Sequence, residues 1–335
     1  MQRSLLLSLA LPATVFLPHA PGRGAAELAF APKEGLVLEK RGQFEAAMEL
    51  EKLKLTINGE ELPFEAPEPK NVFHGVTVAT DTYAKVADGR VQRLERSFDE
   101  LDQSMSTTSP EGETEEDKES PLKGATVVFA WSEEDEEYTA SFGEGSGEGL
   151  DTELLADLEQ SLDFEMLLPE KEVEDGDEWT LQSEPLRDML ELGGDFHFDD
   201  EDESPQDELI GRALEDELEG TATCTYRGTR EVDGRELSVI AIALSGTGSA
   251  EEDSEQEAGP ITVEVHARAD AEMALEGELL WDAAAGHFAH LALKGTVEFT
   301  LTETSSFEAE GESQERESAV TFAGTLSIDF AAAAP

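Results

Sequence analysis

His287 and His290 form an HxxH, a spacing at which two imidazoles can share one metal ion. On a helix, residues three apart lie on one face. The segment around this pair alternates like a strand, where an odd spacing sends side chains to opposite faces, so a shared metal needs a β-bulge between them. His74, His197 and His266 have no ligand-like neighbours along the chain. Cys224, in Thr-Ala-Thr-Cys-Thr-Tyr, is the single cysteine. It excludes an intramolecular disulfide, and with no base beside it in sequence it reads as a small buried hydrophobe. Asp199, Asp200, Glu201, Asp202 and Glu203 are dense in hard oxygen donors. The glycine and distal glutamate of an EF-hand register are missing, so the run predicts weak, mass-action binding of divalent cations and no built site.

Local catalytic signatures are absent: there is no HExxH, no P-loop and no GxSxG nucleophile elbow. The glycine run Gly143 to Gly149 misses the dinucleotide-binding spacing and carries Glu144 and Glu148, which repel a pyrophosphate. Carboxylate pairs suited to glycoside hydrolysis occur anywhere in a chain with 78 Asp and Glu, so they carry no information. The sequence therefore predicts no catalytic, cofactor-binding or metal-ligating residue and no cofactor.

Those 78 acids stand against 23 Lys and Arg, a formal net charge of −55. Such a surface repels phosphate backbones and anionic headgroups, which argues against nucleic acid and direct membrane insertion. It leaves an apolar ligand, divalent cations or a basic envelope protein as partners. Like charge at this density also strains the compact state, so stability is expected to rise with salt. The N-terminus has the layout of a secretory signal over residues 1–26. Arg3 is followed by the apolar run Ser4 to Leu17, and cleavage is expected after Ala20 or Ala26. That run is shorter than the roughly 20 residues of a membrane helix and is broken by Pro12. The expected location is periplasmic or extracellular.

The elements that must position any site read mostly as strands. Leu53, Leu55 and Ile57 alternate with Lys54 and Thr56, and Asn58-Gly59 then gives a hairpin turn. Asp88-Gly89 and Asp233-Gly234 repeat that turn signal. Ser238 to Leu244 is apolar on both faces and predicts a central, doubly covered strand. Alternation through Ile261–Ala267, Leu275–Trp281, His287–Leu293, Val297–Leu301 and Leu326–Phe330 predicts a meander. Helices are expected only in the middle, from Asp151 through Phe164 and from Pro185 to Leu192. The fold class is mainly β: a curved antiparallel sheet or open barrel of long hairpins with one or two short covering helices. Residues 27–331 are expected to form a single β-rich domain with a tail at 332–335. Four acidic stretches, 104–120, 199–208, 251–259 and 308–318, read as solvated, disordered loops.

One segment carries a recognisable pattern, LPxKxVxxGDxW, in Leu168-Pro169-Glu170-Lys171-Glu172-Val173-Glu174-Asp175-Gly176-Asp177-Glu178-Trp179. It resembles a motif of uncharacterised exported β-rich bacterial proteins of a planctomycete type. The hairpin Gly277 to Asp282, followed by Gly286-His287, is similar to one of theirs. The resemblance implies an architecture like that of periplasmic lipoprotein carriers and transfers no site residue. Read from the residues, the motif is structural: Pro169 ends the preceding helix, Asp175-Gly176 turns, and Trp179 begins and anchors a strand. Three functions fit: an exported, non-enzymatic binding protein for an apolar ligand or envelope component; a cation-gathering acidic surface or matrix protein; and a hydrolase assembled from distant strands without a local motif.

Overall fold

The computed structural model describes residues 25–63, 69–110, 112–198, 205–214, 216–258, 261–309 and 312–335. The expected signal and the acidic run 199–203 lie outside them. Along the chain run β1 (Val37–Ile57), β2 (Glu60–Glu61), β3 (Lys70–Ala87), β4 (Arg90–Ser109), β5 (Gly112–Glu119), β6 (Thr126–Ser132) and β7 (Glu137–Phe142). After them come β8 (Glu178–Leu181), α1 (Ser183–Leu190), α2 (Pro205–Leu214), β9 (Glu219–Val232), β10 (Arg235–Ala258), β11 (Ile261–Asp282), β12 (His287–Ala309) and β13 (Glu312–Ala333). All strands join one antiparallel sheet, ordered β7-β6-β4-β3-β1-β13-β12-β11-β10-β9-β8, with β2 on β1 and β5 on β4. This is the curved, open sheet of long hairpins that the alternation predicts. Residues 88–89 and 233–234 turn with both φ values positive, as Asp-Gly hairpins require.

The sheet's two edges, β7 and β8, are consecutive in the chain. The segment 143–177 that joins them must therefore cross a face of the sheet, and it crosses the inner one. Phe164 at its centre sits edge-on to Phe288 of β12 and Phe330 of β13, with ring centroids 5.1 and 5.3 Å apart. Leu162, Leu167 and Val173 of this strap are buried with Leu279, Trp281 and Leu291. Inward glycines bring neighbours close: a Cβ at Gly42 would collide with the Phe330 ring, and one at Gly75 with the Phe44 ring. Each aromatic thus lies over the glycine opposite it on the next strand, which lets the sheet curl without a gap.

Several expectations are corrected. Residues 104–120 hold the end of β4 and all of β5; 251–258 end β10; most of 308–318 belongs to the β12–β13 hairpin. Composition suggests loops, but antiparallel ladders continue past the core and place basic side chains beside the acids. Lys54 lies 3.7 Å from Glu317, and His266 2.7 Å from Asp253. Residues 205–208, read as loop, open α2, whose Leu209 and Ala213 pack on Ala250, Ala269 and Ala271. The tail is strand to Ala333, paired with Glu39. Of the helix expected from Asp151 to Phe164, only the single 3-10 turn Thr152–Leu155 forms, capped by Asp151; beyond it the backbone is committed to hydrogen bonds with other segments, such as Glu159 N–H to Gly193 O. The second expected helix forms as α1.

Candidate functional site

Three inward positions of the sheet carry charges where alternation would place apolar side chains. Lys40 follows Leu38 on β1, Asp81 follows Ala79 on β3, and Arg96 lies between Leu94 and Phe98 on β4. Register sets Asp81 directly opposite Arg96. Asp163, from the strap, completes the group, and all four are at most 2% exposed. Lys40 Nζ donates to Asp81 Oδ2 and Asp163 Oδ2, both at 2.8 Å, and to Tyr83 OH at 3.0 Å. Tyr83 OH donates to Asp163 Oδ2 at 2.8 Å. Arg96 binds Asp81 through two parallel bonds of 2.7 and 2.9 Å and reaches the strap carbonyls of Glu159 and Gln160 at 3.2 and 2.9 Å. Two cations thus face two carboxylates, with the fork geometry that makes such burial tolerable.

The cluster orders the titration of its members. Burial pushes the Asp81 carboxyl up, but Arg96 and then Lys40 overcome this and hold it at about 2. Tyr83 is raised well above a phenol's ordinary value by burial and by Asp163 and Asp81, so it stays a neutral donor. Glu165, just beyond, is pushed up to about 7, first by burial and then by the Asp163 charge. Ser161 Oγ holds both Glu165 oxygens at 2.9 Å and accepts from Asp163 N at 3.1 Å. A serine beside a carboxylate near neutrality has the ingredients of acid–base chemistry. Here, however, the hydroxyl is tied into the strap's own turn, and neither residue lines the groove below. The cluster staples the strap to the sheet.

Beside the staple, a groove of about 930 Å³ lies on the inner face. Its floor is Phe44 and Ala46 of β1, Phe73 of β3 and Leu326, Ile328 and Phe330 of β13; its roof is Leu158, the end of α1 and the Phe196–Phe198 turn. Phe44 and Phe73 are 37% and 36% exposed, large apolar rings facing open space within an otherwise closed core. Polar side chains stand at the rim, Glu159, Glu191 and Asp216 among them.

The residues singled out in sequence lie apart from the groove lining and do not gather in one place. Cys224 is fully buried on β9, its thiol pushed up to about 12 by burial. His287 and His290 oppose Asp282 and Leu280, two residues apart, across a bulge. The pair therefore shares a face, contrary to the simple strand reading, because the bulge absorbs one residue. Their rings turn apart, His287 to the Phe288 carbonyl and His290 to Asp329 at 3.0 Å. Among the described residues no group of three or more metal-ligating side chains converges. His197 holds a positive φ of 51° and lies 3.3 Å from Asp195. In the LPxKxVxxGDxW segment, Val173 is buried and pairs with Ala26, Gly176 turns at φ 92°, and Trp179 Nε1 donates to Leu167 O at 3.1 Å. The motif thus fastens strap to sheet edge.

No family model matches the chain. No curated protein matches it either. Among solved structures it is similar to Acinetobacter baumannii OccAB4, at 7% identity and TM-score 0.22 over 88% of this chain and 98% of that one. Pseudomonas aeruginosa OccK5 (OpdH) gives 6% and 0.21 over 86% and 98%. A loop L8 deletion mutant of OmpT, an outer membrane protein of Vibrio cholerae, gives 11% and 0.15 over 88% and 100%. Likenesses at these TM-scores carry no argument about this chain. No helix among the described residues is long and apolar enough to cross a membrane.

Proposed function

We propose that this chain is an exported, acidic, non-enzymatic binding protein that holds an apolar ligand in the groove between its curved sheet and the strap. The groove carries the reading: about 930 Å³ lies within the size of small-molecule sites, and aromatic and aliphatic side chains make up most of its lining. Two phenyl rings left facing that space lose dispersion contacts that an apolar ligand would supply. The carboxylates with the largest environmental shifts, Asp81 and Glu165, serve the staple, which supports binding over catalysis. Export follows from the N-terminal pattern, and cleavage after Ala20 is favoured because it retains Ala26 for its pairing with Val173.

The experiment is uptake of a neutral naphthylamine dye that brightens in apolar surroundings. Delipidated protein should bind it saturably. Ala46→Trp, which fills the groove from its floor, should reduce uptake by about tenfold or more while leaving the melting transition in place. Equal dye binding by both proteins would place any ligand elsewhere.

A further inference from the structure

The charged residues that line the groove are all acids. Asp157, Glu159, Glu191, Asp195 and Asp216 stand around the roof, and Asp102 on the facing strand. No Lys or Arg is among the described residues that line the groove. Asp102 is already answered by Lys123 at 2.9 Å. Arg187, the cation next to the roof, turns its Nη1 to the backbone carbonyl of Asp216 at 2.9 Å. Asp195 lies 3.3 Å from His197 Nδ1, while Glu159, Glu191 and Asp216 stand near other acids. Glu159 is raised by burial and then by Asp188 and Glu191; Glu191 by burial and then by Asp216 and Asp188.

We infer that the groove takes a single-chain amphiphile whose head is a protonated amine or quaternary ammonium, its chain over Phe44 and Phe73 and its head among the roof carboxylates. This rests on the proposed function and names its ligand class. Charge complementarity selects the cation, since an anionic head would enter a rim that already repels its own members. The volume suits one alkyl chain better than a folded peptide segment.

The test displaces the neutral dye from full-length mature protein with dodecylamine, dodecanol or laurate, which share a chain length and differ in head charge. Dodecylamine should act at about fivefold lower concentration than dodecanol, the effect of one or two exposed charge pairs, and laurate should be weakest. Because the whole molecule attracts cations, two triple variants of equal charge are compared. Glu159→Gln/Glu191→Gln/Asp216→Asn should erase the amine preference. Glu45→Gln/Glu272→Gln/Glu298→Gln, on the outer face, should keep it. A preference unchanged in the rim variant, or lost equally in both, overturns the inference, as does equal displacement by the three amphiphiles. So does a lysine-rich amphipathic peptide that displaces the dye better than dodecylamine. In each of those cases dye uptake itself still supports the groove. Absence of dye uptake in every protein overturns the groove reading and this one with it. Circular-dichroism melts confirm that each variant is folded.

Discussion

The staple and the rim lie on either side of one strap and use carboxylates in opposite ways. In the staple, Asp81 and Asp163 are out of water and each touches Lys40, with Arg96 closing the group. At the rim, Glu159, Glu191 and Asp216 are exposed and face other acids. A buried charge without its partner costs several kcal/mol, so the fold must complete the pair. An exposed charge costs little, so the rim can stay unbalanced and be answered by a ligand or by salt. Carboxylates thus hold the structure in one place and stand unbalanced in water a few residues away.

The comparison breaks most sharply at Lys40. Lys40→Met leaves Asp163 and one oxygen of Asp81 uncompensated, and the expected loss is about 3–5 kcal/mol by chemical denaturation. Pairing it with Asp163→Leu should restore most of that loss, because an apolar pair of similar volume needs no partner ions. A single variant that costs under about 1 kcal/mol would show that the strap is held by its apolar contacts, such as Phe164 on Phe288 and Phe330, and not by charge.

How much of this was legible in the sequence depends on range. The hairpin turns and period-two strands are local, and Asn-Gly or Asp-Gly pairs and alternation mark them. The staple joins residues 15 to 123 positions apart, which no spacing rule connects. A weaker signal was present: Lys40, Asp81 and Arg96 each fall in phase with buried apolar neighbours. A charge on the inward parity of a strand asks for a partner across the sheet. The acidic ends of β10 and β13 look like loops by composition because composition carries no register; once the five long strands β1 and β10 to β13 are paired, the ladder fixes their continuation. The groove itself depends on where the strap crosses, which follows from β7 and β8 being the two sheet edges.

A second prediction follows from pH. Asp81, depressed from 3.8 to about 2, contributes stability that is fully present above 3.8 and lost as pH falls toward 2. Glu165, raised from 4.5 to about 7, runs the other way: its contribution is fully present below 4.5 and is lost as pH rises through 7. On the scale set by these two groups, stability should therefore be greatest near pH 4 and should fall between 4.5 and about 7, where Glu165 is ionised in the unfolded chain and still protonated in the fold. Glu165→Gln should flatten the alkaline side by on the order of 1–3 kcal/mol, and pH-dependent urea titrations read this directly. An unchanged alkaline limb in that variant would mean that Glu165 is solvated well enough to ionise without cost.

The smallest effect separates the two regions most cleanly, because it depends on screening. Glu159→Gln/Glu191→Gln removes two like charges from the rim and should stabilise the protein at low ionic strength by a few tenths of a kcal/mol. At an ionic strength of about 1 M the Debye length falls to about 3 Å, so that gain should vanish as the wild type catches up. The loss from Lys40→Met should stay the same across the series, since its partners are enclosed by protein and beyond the reach of counterions. With a net charge of −55, the wild type itself should melt higher as salt is added. If instead the Lys40→Met loss shrinks with salt in step with the rim effect, ions reach the staple, the strap opens in solution, and the two sets of carboxylates differ in degree of exposure alone.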